Sequence, residues 1–127
     1  RRESARQLLG WIAGNRRAGE QVVLLGDFNA GSDDEALRLT LTSDAVRLDD
    51  SRIVAGARAA GNSASFNDFH PLPPPASPID HILVSKGTAV TLHHVLAENF
   101  DGRVASDHFP VVADIALAGN CPHQNQK

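Results

Sequence analysis

The apolar positions of this chain fall into short blocks separated by polar turns, and their spacing changes from helical to strand-like along the sequence. Ala5, Leu8, Leu9 and Ile12 lie at the spacing of one helical face, with Arg2, Arg6, Arg16 and Arg17 mostly between them, which predicts a helix over residues 3–17 with a solvated basic side. Gly19 ends it. Val22-Val23-Leu24-Leu25 is a continuous apolar run and predicts a strand buried on both faces in the centre of a sheet. It stops at Gly26-Asp27-Phe28-Asn29, which places polar groups at the strand's carboxyl end, where α/β sheets bind ligands. Ser32 followed by Glu35 has the capping-box pattern and predicts a short helix from about Asp33 carrying Ala36, Leu37 and Leu41.

Residues 43–61 show weak periodicity and receive no element, although Val46, Leu48 and Ile53 could anchor them. A strand is predicted over 63–66. Pro71, Pro73, Pro74 and Pro75 then exclude helix and central strand and predict a stiff polyproline loop. Three further strands follow at 78–85, 88–97 and 111–117, with a loop at 99–103. The polar stretch 119–127 is predicted to be a frayed tail. Too few residues follow the proline loop to make a second domain, so residues 1–118 are expected to form one domain, and no internal repeat is visible.

Composition narrows the class. The 127 residues are 42% hydrophobic, enough for one globular domain with a core. The formal net charge of −3 argues against a large non-specific nucleic-acid surface but leaves room for small or local phosphate substrates. The single cysteine, Cys121, rules out an intrachain disulfide. No apolar stretch approaches the roughly 18 residues needed to cross a bilayer. The absence of methionine and an opening already in helical pattern lead to the expectation of a fragment or processed product lacking an N-terminal part. Compartment and oligomeric state stay open.

Three polar clusters carry the candidate chemistry: Gly26-Asp27-Phe28-Asn29, Ile79-Asp80-His81-Ile82 and Ser106-Asp107-His108-Phe109-Pro110. Asp, Asn and His suit a site that holds a divalent cation, activates water and grips phosphate. Asp27 is placed to take a proton from water and Asn29 to donate its amide to a phosphate oxygen, although Asp, Asn and Gly also form ordinary turns after strands. Strand alternation puts Asp80 on one face with Ile82 and Val84, and Ile79, His81 and Leu83 on the other. A carboxylate among apolar neighbours needs a partner; that partner is His108, or else backbone amides. A charged His108 would stabilise phosphoryl oxygens. Asp107 could bind a metal directly or through water, or the cluster could be a capped turn before the last strand.

Other polar residues point less clearly to a site. His93 and His94 are adjacent and face opposite sides of a strand. Cys121 and His123 lack the further ligands of a zinc site. Asn67, Asp68 and His70 could line a pocket rim or a polar loop. Asp33, Asp34, Asp49 and Asp50 lack the spacing of a calcium loop.

The three clusters, in this order on strand ends, resemble the endonuclease/exonuclease/phosphatase superfamily with its DNase I-like fold. The resemblance covers about residues 1–117 and only the C-terminal half of the family domain. It implies the C-terminal half of a four-layer α/β sandwich and a phosphoester hydrolase that uses Mg²⁺ or Mn²⁺. It further implies that Asp27 orients or deprotonates the attacking water, Asn29 contacts the phosphate, Asp80 holds His108, and His108 binds the phosphoryl group. Asp27, Asn29 and Asp107 are the implied metal ligands.

Residues 65–69, Ser-Phe-Asn-Asp-Phe, are similar to a Thr-Phe-His-Gly-Phe segment of some members, with Asn67 in place of the histidine. The family's other half supplies an Asn, a metal-binding Glu and often a further His, none of which maps onto this chain. The implied partner is a phosphoester substrate: nucleic acid, a phospholipid head group or a small phosphate ester. The competing expectation is a catalytically silent fragment acting as a binding module.

Overall fold

A computed structural model describes residues 1–119; Cys121, His123 and the rest of the predicted tail beyond Gly119 lie outside the described residues. The elements are α1 (Arg2–Asn15), β1 (Val23–Asp27), α2 (Glu35–Leu41), β2 (Leu48–Asp50), α3 (Ser51–Ala55), a 3-10 turn (Gly56–Arg58), β3 (Ala59–Gly61), β4 (Asp80–Ser85), β5 (Ala89–Val95) and β6 (Val111–Ala116). The strands form two sheets. One has the order β1-β4-β2, the other β3-β5-β6. Both pairings in the first are antiparallel; in the second β3 runs parallel to β5 and β6 antiparallel to it.

Strand β4 is the centre of the molecule because both of its faces are used. Leu83 enters a core with Leu9 and Ile12 of α1, Leu37 of α2, Val46 and Leu48. Val84, on the other face, packs with Val90 of β5 and Ala55 of α3, joined by Ile82, Ala113 and Ile115. Helices α1 and α2 therefore cover one face of the first sheet and the second sheet covers the other. Full burial of a Leu or Val contributes about 1.5–3 kcal/mol, so these two cores hold the layers together. Gly61 permits the close β3–β5 approach. A Cβ there would sit 2.0 Å from the Val95 carbonyl oxygen, and its φ of +88° suits glycine.

The structure corrects several sequence expectations. The run at 22–25 is not a central strand: β1 is an edge of its sheet, and Leu25 is 64% exposed. Leu24 packs against the helical core, but Val23 and Leu25 lie on the opposite face, level with Val84 and Ile82 of β4. The second sheet reaches β4 through its outer strand β6, and both Val23 and Leu25 are left exposed among the described residues. An apolar run reports two apolar faces, not what covers them.

The α2 cap is Asp34, whose side chain accepts from the Ala36 N–H; Ser32 instead bonds to Ser77. The strand expected at 63–66 reduces to one bridge between Phe66 and His108, because positive φ at Asp68 and Phe69 turns the chain away. Residues 43–61 hold elements of three to five residues, too short to show a period.

Two outcomes follow from this packing. Leu83→Ala is expected to cost about 2–5 kcal/mol of unfolding free energy, measurable by urea denaturation. The exposed edge strand and its apolar face are expected to drive self-association of the 127-residue chain. Sedimentation equilibrium should show a mass that grows with concentration and falls in Leu25→Lys; a monomer at every concentration would contradict this.

Candidate active site

Antiparallel pairing brings the end of β1 to the beginning of β4, and Asp27 is the register partner of Asp80. Two carboxylates thus stand opposite each other across strands, an arrangement that is unfavourable without a cation between them. His108 supplies it. Its Nδ1–H donates to Asp80 Oδ2 at 2.8 Å, and its Nε2 lies 3.9 Å from Asp27 Oδ2. The hydrogen bond to Asp80 raises the His108 pKa above its ordinary 6.5; partial burial opposes the rise, and the charges of Asp80, Asp27 and Asp107 support it. The side chains of Asp27 and Asp80 are 38% and 18% exposed, so the cluster opens to solvent on the Asp27 side.

The Asp27 turn is ordered by Asn29. The Asn29 backbone N–H donates to Asp27 Oδ1 at 2.8 Å and its side-chain amide donates to Asp27 Oδ2 at 3.3 Å. Asn29 has φ +48°, a left-handed conformation that asparagine tolerates better than most residues. Gly26, with φ +148°, gives the strand end a backbone geometry that side-chain-bearing residues rarely adopt. In this arrangement the Asn29 amide is spent on Asp27.

Asp107 stands apart from the other acids. The cluster of facing ligand atoms, all within 4.8 Å of one another, consists of Asp27, Asp80 and His108. Asp107 Oδ1 instead accepts from Ser106 Oγ at 3.3 Å, and its carbonyl accepts from the Asn67 N–H at 2.7 Å.

Two residues of the site's frame, Ser65 and Phe66, stood in the sequence only as part of the segment similar to Thr-Phe-His-Gly-Phe, with no role of their own. Ser65 is fully buried; its Oγ accepts from the Ile79 and Asp80 N–H groups at 2.9 and 3.1 Å, and its carbonyl accepts from Phe109 N–H at 2.7 Å. One serine therefore ties the start of β4 to the residue after His108. Phe66 sets its ring edge-on to His108, with centroids 5.2 Å apart. Asn67, expected on a pocket rim or in a polar loop, is buried and accepts from the Phe69 N–H. His93, on β5, is also buried and faces Ser51 Oγ at 2.9 Å; burial lowers its pKa.

As a donor set, two carboxylates and an imidazole fit a divalent cation. A hard ion such as Mg²⁺ favours the oxygens, with water and substrate completing its shell. The imidazole fits as well: with Nδ1–H donated to Asp80, the neutral ring keeps the Nε2 lone pair on the Asp27 side, and only the doubly protonated ring has none to give.

Two stacked sheets with a carboxylate–histidine–carboxylate cluster at the strand ends define a DNase I-like α/β protein. The chain belongs to the endonuclease/exonuclease/phosphatase family, whose model matches residues 1–108 and so includes the first two clusters and Ser106-Asp107-His108 of the third. Among solved structures, it is similar to the mannosyl-6-phosphatase of Bacteroides thetaiotaomicron VPI-5482, with 28% identity and a TM-score of 0.74 over 91% of this chain and 45% of that one. A family member from Bacteroides vulgatus gives 29% identity and a TM-score of 0.78 over 91% and 43%. A functionally unknown conserved protein from Enterococcus faecalis V583 gives 32% identity and a TM-score of 0.73 over 86% and 41%. The chain thus spans less than half the length of each. No curated protein matches it.

The Asp80 hydrogen bond sets a pH-dependent outcome. Because the folded pKa of His108 is raised above 6.5, its contribution to stability is fully present below 6.5 and is lost as pH rises through the folded value. An NMR titration of the His108 ring should give a midpoint above 6.5, and Asp80→Asn should bring it down. A midpoint indifferent to Asp80→Asn would break the assignment.

Proposed function

We propose that this chain carries the Asp27, Asn29, Asp80, Asp107 and His108 portion of a divalent-metal-dependent phosphoester hydrolase. It corresponds in this reading to the C-terminal half of the family domain. The observation that carries the proposal is the placement of His108 between two strand-end carboxylates, with Nδ1 bonded to Asp80 and Nε2 turned towards Asp27. An imidazolium fixed in this way presents an N–H to a phosphoryl oxygen and stabilises the charge that grows there in the transition state. Asp27, held in place by the Asn29 N–H, accepts the proton of the attacking water, and the P–O bond to the leaving oxygen breaks in line, that oxygen taking a proton from solvent to depart as the alcohol. Asn29 releases its side-chain amide from Asp27 to contact the phosphate. Asp107 adds negative charge beside His108. Mg²⁺ or Mn²⁺, when bound, supplies Lewis-acid charge at the phosphoryl oxygens.

The substrate class we favour is a small phosphate ester. The net charge of −3 does not favour a long polyanion, and one structural neighbour is named as a mannosyl-6-phosphatase. Lipid head groups and nucleic acid are the alternatives.

A second reading is that the 127-residue chain alone is catalytically silent and serves as a binding partner. A groove between α1 and β1, lined by Ala5, Leu8 and Leu25, runs up to Asp27 and Asn29, so apolar surface adjoins the site itself.

The test is hydrolysis of sugar phosphates, lipid phosphates and oligonucleotides with Mg²⁺ or Mn²⁺, by this chain and by a longer parent protein. Asp27→Ala and His108→Ala in the parent should each lower kcat about 100- to 10,000-fold without unfolding it, and a chelator should abolish turnover. Wild-type rates in both variants would defeat the proposal. Turnover by the 127-residue chain alone would defeat the silent reading.

A further inference from the structure

We infer that His81 is a positioning residue for the turn that carries Asp27 and Asn29, an inference that rests on the hydrolase reading above. His81 follows Asp80 on β4, so strand alternation sends its side chain to the opposite face of the sheet. It is buried there, 4% exposed, and its contacts fall on the site turn. The Nε2–H donates to the Ala30 carbonyl at 2.7 Å, and Ala30 is itself 1% exposed. The ring stands edge-on to Phe28, with centroids 5.5 Å apart and planes at 89°. One imidazole therefore grips residues 28 and 30, the two neighbours of Asn29. Asn29 is also the residue whose left-handed φ lets its N–H and amide reach back to Asp27.

The ring is fixed from behind as well. Nδ1 faces Asp50 Oδ2 at 3.5 Å, and the other oxygen of that carboxylate caps α3 by accepting from the Arg52 N–H at 2.8 Å. With Nε2–H committed to a carbonyl and Nδ1 turned to a carboxylate, rotation of the imidazole would strand a buried acceptor at each end. Consecutive residues of β4 thus set the two halves of the site: Asp80 orients His108, and His81 orients the Asp27–Asn29 turn. An aromatic hydrocarbon at position 81 would fill the space and keep the packing on Phe28, but would leave the Ala30 carbonyl unpaired. Such a change loosens the turn without emptying the core.

His81→Phe and His81→Gln separate positioning from packing, because the glutamine amide can still donate to the Ala30 carbonyl. In the 127-residue chain, His81→Phe should raise amide hydrogen exchange over residues 26–31 by roughly tenfold or more while leaving residues 89–95 unchanged. His81→Gln should restore most of the protection. In the parent protein, His81→Phe should lower kcat about tenfold or more with KM within about twofold, and His81→Gln should recover part of the loss.

Val90→Ala, in the opposite core, provides the reference for general destabilisation, and Asp50→Asn should give a milder, equally local effect. Unchanged exchange over 26–31 in His81→Phe, a rise spread evenly over both segments as in Val90→Ala, or equal losses in Phe and Gln would each overturn the inference. A localised exchange change in a parent that hydrolyses no phosphoester would refute the hydrolase reading and leave the grip on the turn established.

Discussion

The constraint on which the site depends is the pairing of Asp27 with Asp80 across two antiparallel strands. Like charges directly opposite each other on one sheet oppose the pairing that brings them together. The loop before β6 answers this by setting His108 against both acids, with its proton on the Asp80 side. The arrangement is self-reinforcing: the acids raise the His108 pKa, and the protonated ring offsets their repulsion. Two strands and one loop that are distant in sequence are therefore coupled by electrostatics at their ends, in addition to the apolar packing at their middles.

Backbone chemistry sharpens that coupling. Ser65 receives the first N–H groups of β4 on its hydroxyl and the Phe109 N–H on its carbonyl, so the Asp80–His108 separation is set by hydrogen bonds as well as by side-chain choice. Buried acceptors that satisfy several donors are costly to move. The turn at Asn67–Phe69 serves the same end: it holds two non-glycine residues at positive φ and bonds its Asn67 and Asp68 N–H groups to the Asp107 carbonyl. Left-handed conformations of this kind persist where surrounding bonds over-determine them.

The α/β class and the strands at β4, β5 and β6 were legible because their alternation is long enough to leave a period, and the first helix was legible from Leu9 and Ile12. The clusters were legible because Asp80 breaks an apolar face and so asks for a partner. Other features left no trace. Leu25 reads as core because hydrophobicity does not record what lies opposite. Ser65 heads a segment similar to one in the family, but its role comes from donors that arrive from residues 79, 80 and 109, which the segment itself does not name. His81 was visible as a histidine sharing a face of β4 with Leu83, but its partners Ala30 and Asp50 come from other elements, and no local pattern names them. The separation of Asp107 from the other acids is likewise a matter of which way one loop turns.

Exposure decides how much this geometry can do. Two unit charges 4 Å apart interact by about 1 kcal/mol in bulk water and by about 4 kcal/mol at the effective dielectric near a protein surface. Asp27, with more than a third of its side chain exposed, sits towards the weaker end of that range, and Asp80, more enclosed, towards the stronger. The His108 proton accordingly belongs with Asp80, and the Asp27 side is where a cation or a phosphoryl oxygen can compete with water. Any surface laid over the groove beside Leu25 and Asn29 would lower the local dielectric at Asp27 and strengthen every charge interaction there at once. The apolar exposure of Leu25 and the solvent access of Asp27 therefore meet in one groove beside α1, where packing and electrostatics cannot be changed independently.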